Sequence, residues 1–126
     1  MENYVKKAMR TYDNKAEQRL TKILLKKHQD DDHRDIVGLL FACLGMSGEL
    51  GEFIELVKKW IFHEKDLDEE HLKKEMGDFL WYVALVCNSM GWDLNDIMDL
   101  NIVKMEKRYP EGFDIDKCKH RKEGDI

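Results

Sequence analysis

A chain of 126 residues, with 43% hydrophobic and 37% charged side chains, makes one soluble domain with a modest core. A net charge of −5 supplies no general basic field, which argues against nucleic acid or an anionic membrane as partner; bound phosphate would need a local attraction. No apolar run approaches about 18 uninterrupted residues, and Cys43, Cys87 and Cys118 form no close pair, so the expectation is a cytoplasmic protein, neither secreted nor membrane-spanning.

Abundant Lys, Glu, Leu and Met with a single Pro predict helices throughout. Residues 2–12 fit a short amphipathic helix carrying Tyr4, Val5, Ala8 and Met9. Residues 13–35 are highly charged and include the run Asp30, Asp31, Asp32. Only Leu20, Ile23, Leu24 and Leu25 anchor a helix there, so at least the end of this insert is expected to be a surface loop. A long helix is predicted from about Asp35 to Phe62, then a polar turn from His63 to Asp68. Asp68 is a candidate cap for the next helix, with Glu69 and Glu70 favourable in its first turn; that helix stops at Gly91. Asp93 is placed to cap a last helix through Arg108, ended by Pro110 and Gly112, before a loose charged tail from Asp114. Cys43 and Cys87 lie in apolar runs, as small buried hydrophobes do. Met46, Met76, Met90, Met98 and Met105 recur at helical spacing and are expected in the core. Helix on helix with short links reads as an all-α bundle.

Two words carry the chemistry: GELGE at 48–52 and EMGD at 75–78. Each is acid-x-x-acid, which puts both carboxylates one helical turn apart, about 5–6 Å between Cβ atoms. Spacing alone is weak, because a chain with 26 acids in 126 residues yields about five such pairs by chance. The neighbours strengthen it. At about 100° per residue, the face of Glu49 and Glu52 also holds Gly38, Ala42, Gly45, Leu56 and Trp60; that of Glu75 and Asp78 holds Phe79, Tyr82, Val86 and Ser89. Two acid pairs thus interrupt two core-directed stripes on consecutive helices, and antiparallel packing would bring them together. Four partly buried carboxylates cannot remain bare anions; protons, basic side chains or cations must neutralise them. Lys and Arg are scarce on both faces, and an all-oxygen site without His or Cys selects a hard cation, Mg²⁺ or Mn²⁺.

These words resemble the MazG-like nucleoside triphosphate pyrophosphohydrolases, whose signature is ExxE followed by ExxD. Glu49-x-x-Glu52 and Glu75-x-x-Asp78 match it, within LGMSGELGEFIELVKKWIFH and KKEMGDFLWYVALVCNSMGWDLNDI, and NIVKMEKRYPEGF follows. The resemblance covers about residues 36–113, with a weaker echo in YVKKAMRT. It implies a four-to-five-helix bundle over 1–113, completed by dimerisation, as a homodimer or dimer of dimers, with 114–126 as an added tail. It also implies hydrolysis of the α–β phosphate bond of a (deoxy)nucleoside triphosphate to monophosphate and pyrophosphate, a house-cleaning activity. Glu49, Glu52, Glu75 and Asp78 would hold Mg²⁺, and Glu49 or Glu52, Glu52 first, would act on the water. The charged stretch 13–35 is longer than the family's short connection. A phosphoribosyl-ATP pyrophosphohydrolase shares this site, and a non-catalytic nucleotide-binding or sensor dimer is the reading from another class.

Further candidates each have a plain alternative. Lys59 lies near the Glu52 edge and fits a phosphate contact, or an ion pair with Glu55; Lys58 points about 180° from Glu49. Tyr82 suits a base, a phosphate or the core. Asn101, Lys104 and Arg108 share one face of the last helix and fit substrate contact or a solvated surface. Trp60, Trp81 and Trp92 fit core or subunit interface better than base platforms. His63 and His71 flank the turn and read as polar surface. His33-Arg34-Asp35 lacks the Gly-rich loop of a kinase, and no HExxH or Walker A word is present.

Overall fold

The structure, a computed structural model, describes residues 3–27, 33–113 and 115. The run Asp30, Asp31, Asp32, together with Cys118 and the rest of the tail from Asp114 except Ile115, lies outside the described residues. The helices are α1 (Tyr4–Ala8, continued by a 3₁₀ turn, Met9–Thr11), α2 (Ala16–Lys27), α3 (Ile36–Phe62), α4 (Glu69–Met90) and α5 (Leu94–Arg108). The chain is all-helical: among the described residues there is no strand, and a single isolated bridge joins Pro110 and Gly112.

Local chemistry sets these boundaries. Asp35, Asp68 and Asp93 each cap a helix, their carboxylates accepting from the backbone N–H of Gly38 at 3.1 Å, His71 at 2.9 Å and Asn95 at 2.8 Å. Gly91 ends α4 in the left-handed conformation (φ 67°), and the Trp92 N–H closes back on the Cys87 carbonyl at 2.9 Å. In the charged insert, Asp13 holds the first turn of α2, pairing with Arg19 and accepting from the Lys15 N–H. Of the anchors of α2, only Leu24 is half-buried.

Among the described residues the packed unit is an antiparallel hairpin of α3 and α4, with at most sparse contact from α1, α2 and α5. Its close end is built on small residues. A Cβ at Gly45 would overlap the Tyr82 ring, and one at Gly38 would stand 2.5 Å from Ser89 Oγ. The Asp35 N–H bonds the Ser89 carbonyl at 2.6 Å, tying the start of α3 to the end of α4. Tyr82 meets Phe41 and Trp81 edge-on, at 5.8 and 5.0 Å between centroids.

Little of the apolar surface is covered. Among the described residues the buried set is Ala42, Cys87, Glu75 and Ser89. Two expectations change here, and a third narrows. Cys43 is exposed. Met76 and Met98 are exposed rather than core, while Met46, Met90 and Met105 are half-buried. Trp60, Trp81 and Trp92 are about half exposed and belong to no core within this chain. The reason is common to all: periodicity reports which face of a helix is apolar, not what covers it. By length and a mean hydropathy of 1.5, α3 would also suit a membrane span, but Glu49 and Glu52 sit within it, and a bilayer opposes carboxylates.

Candidate metal centre

Beyond Gly45 the hairpin opens. Gly48 and Gly51 on α3 have no atom within 4 Å of where a side chain would begin. The space beside them is a cleft of about 260 Å³ lined by both glycines, Glu52, Glu55, Lys59, His71 and Glu75. A small apolar pocket of about 60 Å³, bounded by Glu49, Phe53, Glu75 and Phe79, shares Glu75 with it.

Glu49, Glu52 and Glu75 each offer a carboxylate oxygen such that all three lie within 4.8 Å of one another. Oxygens around one Mg²⁺ at about 2.1 Å stand about 3–4 Å apart, so a small adjustment would bring these three onto one ion. The three differ in setting: Glu75 is buried, Glu49 half-buried and Glu52 exposed to the cleft. Asp78, the fourth predicted acid, is exposed one turn along α4 and outside this set. Its charge still reaches the site. Burial first, then the charges of Asp78, Glu52 and Glu75, and a hydrogen bond with Glu75, push the Glu49 carboxyl above its ordinary value. Such a cluster holds too much negative charge for its own good, and a divalent cation is the donor-matched remedy.

The other predicted residues separate. Lys59 stands 3.5 Å from Glu55, the ion pair that its spacing predicts, and also lines the cleft. Lys58, on the side of α3 away from Glu49, pairs with Glu55 one turn back and holds that carboxyl below its usual value. Tyr82, half-buried, packs its ring against Gly45. Asn101 is exposed, Lys104 and Arg108 are half-buried, and none of the three lines the cleft.

His71 is exposed, as polar surface is, and it also pairs with an acid of the cluster. Its Nε2–H donates to Glu75 Oε1 at 2.7 Å, from four residues before Glu75 on α4. That spacing was visible as His-x-x-x-Glu and was the missed signal.

The model of the MazG nucleotide pyrophosphohydrolase domain matches residues 41–113, which takes in both acid pairs and α5. Among curated proteins, the Gene 37 protein of Mycobacterium phage L5 is 34% identical over 86 residues, 64% of this chain and 75% of the phage protein. No solved structure matches.

Proposed function

The chain belongs to the MazG nucleotide pyrophosphohydrolase family, and on that premise we propose that it is a Mg²⁺-dependent enzyme cleaving the α–β phosphate bond of (deoxy)nucleoside triphosphates, releasing monophosphate and pyrophosphate. The observation that carries this reading is the convergence of Glu49, Glu52 and Glu75 on a cleft that also presents Lys59. In it, Glu49, Glu52, Glu75 and Asp78 hold the metal, with Mn²⁺ as a substitute. Bound magnesium neutralises phosphate charge and acidifies a water. Glu52 is the carboxylate open to the cleft and orients the attacking water or takes its proton, with Glu49 beside it. Lys59 offers its ammonium to a phosphate oxygen, which supplies the local attraction that a net charge of −5 otherwise denies.

The working form in this reading is a homodimer or dimer of dimers. The chain exposes 11143 Å², against about 7,000 Å² for a compact protein of its mass. Val37, Phe41 and Leu44 on α3 and Leu80 on α4 are all more than half exposed. A second copy of the hairpin is the occupant that matches an apolar helical face of this kind. Within that assembly Asn101, Lys104 and Arg108 of α5 serve as substrate contacts. The setting is cytoplasmic, and the role is removal of normal or aberrant nucleotides.

A panel of nucleotides with Mg²⁺, assayed separately for pyrophosphate and orthophosphate, tests the activity. Pyrophosphate with nucleoside monophosphate is the expected result. Orthophosphate with a diphosphate product overturns it, and tight binding of a nucleotide without turnover means a binding module.

A further inference from the structure

Among the described residues, Glu75 is the one buried acid. A carboxylate taken out of water must have its oxygens engaged. On one side stand Glu49 and Glu52, each with a carboxylate oxygen within 4.8 Å of one of Glu75. On the other is His71, whose Nε2 lies 2.7 Å from Oε1 while half of the imidazole remains exposed. His71 is itself placed with care: its backbone N–H is the group that the Asp68 cap holds, at 2.9 Å. The start of α4 therefore fixes His71, and His71 reaches one turn forward to Glu75. The ring stands at the cleft wall beside Glu52 and Lys59.

We propose that His71 is a positioning residue for the metal centre, holding one oxygen of Glu75 so that the carboxylate keeps a single orientation toward Glu49 and Glu52. This rests on the reading of the acidic cluster as the magnesium site. A carboxylate at the end of a three-torsion side chain samples several orientations unless something fixes it, and hydrogen bonds from outer residues are what orient metal-binding carboxylates. With a proton on Nε2 the ring donates along a fixed direction to Oε1, and it is that direction which orients the carboxylate. An ordinary surface pair would leave metal binding untouched. A ring acting only as a positive charge would oppose a cation, and its removal would tighten binding. Positioning demands the reverse sign.

The test uses the full-length chain and Mn²⁺ as probe, with free Mn²⁺ read by electron paramagnetic resonance and Mg²⁺ binding followed by calorimetry. His71→Ala should weaken Mn²⁺ binding by about 10- to 100-fold, with metal-free helicity and melting temperature close to the parent's. His71→Gln, whose amide N–H reaches about as far as Nε2–H, should recover most of the loss. Glu75→Gln sets the scale and should bind least. Unchanged or tighter Mn²⁺ binding in His71→Ala, with Glu75→Gln impaired, overturns the positioning role and leaves the metal site standing. A His71→Gln variant as weak as His71→Ala also overturns it. If the parent takes up no Mn²⁺, or Glu75→Gln binds as the parent does, the metal site falls and the role of His71 falls with it.

Discussion

The two halves of the α3–α4 hairpin use the same ingredients to opposite ends. In the half that begins at Asp35 and ends at Ser89, Gly38, Ala42 and Gly45 let α3 approach α4 until Ser89 and Tyr82 fill the missing side-chain volume. In the other half, Gly48 and Gly51 meet nothing, and Glu49, Glu52 and Glu75 stand where apolar contacts would otherwise be. Close packing of the first half is the clamp. It sets the helix separation that holds three carboxylates together despite their repulsion, much as a strained site is held by the structure around it. Stability and chemistry are therefore divided along the length of two helices.

The largest expected effect lies in the open half. Glu52→Gln and Glu75→Gln keep size and shape but remove the charge that holds a cation. Loss of an outer-shell partner typically costs 10–100-fold, so loss of a ligand should cost turnover about 100-fold or more, with helical circular dichroism unchanged. Lys73→Ala is the control: Lys73 is exposed, 4.0 Å from Glu69 and away from the cleft. Lys58 would be a poorer choice because it pairs with Glu55, which lines the cleft. Equal turnover in Glu75→Gln and Lys73→Ala would break the division between the halves.

Next comes the clamp. Gly45→Ala gains helix propensity, about 1 kcal/mol, but drives a methyl group into the Tyr82 ring. Overpacking costs about 1–3 kcal/mol, and backbone against a ring edge on two long helices relaxes poorly. A net loss of stability by chemical denaturation is expected, with weaker Mn²⁺ binding as the carboxylates are pushed apart. Stability at or above the parent's would mean that Gly45 does not set the spacing.

A smaller effect concerns Glu49 in metal-free protein. Its carboxyl is raised above the ordinary value, chiefly by burial and then by Asp78, Glu52 and Glu75. A carboxyl with a raised folded-state value binds its proton more tightly folded than unfolded. Its contribution is thus most favourable below the ordinary carboxylate range and is lost as pH rises through the raised value. With chelator present, the melting temperature of the parent relative to Glu49→Gln should fall over that window, by a few degrees at most. The lowered Asp13 and Glu55 carboxyls run the other way, but they are common to both proteins and leave the difference. A difference that is flat with pH would mean Glu49 is not strained by its neighbours.

Much of this division was legible in the sequence. The Asp68 and Asp93 caps, the Gly91 stop and the shared face of Gly38, Ala42, Gly45, Glu49 and Glu52 follow from short-range rules that the fold does not override. Glu75 as the buried acid and Asp78 as the exposed one did not follow, since both lie on the same stripe and only the tilt of one helix against another separates them. The pairing of His71 with Glu75 did not follow either, because a histidine in a first helical turn has many uses and its partner is decided by which acid is withdrawn from water. Met76 and Met98 escaped for a different reason: helical spacing marks an apolar face, not what covers it.

The smallest effect gives the sharpest comparison, because it uses the same substitution three residues further on. Gly48 shares the helix and nearly the face of Gly45, yet a Cβ there meets open space. Gly48→Ala should therefore collect the propensity gain without the clash, about 0.5–1 kcal/mol of added stability, or a rise of a few degrees in melting temperature. The methyl group would sit on the cleft wall, so substrate affinity should change more than the fold does. Opposite signs for Gly45→Ala and Gly48→Ala, measured in the same denaturation series, would place the boundary between clamp and cleft within a single turn of α3. Equal destabilisation by both would mean that atoms outside this chain pack at Gly48, and the open half would then be closed by a second copy.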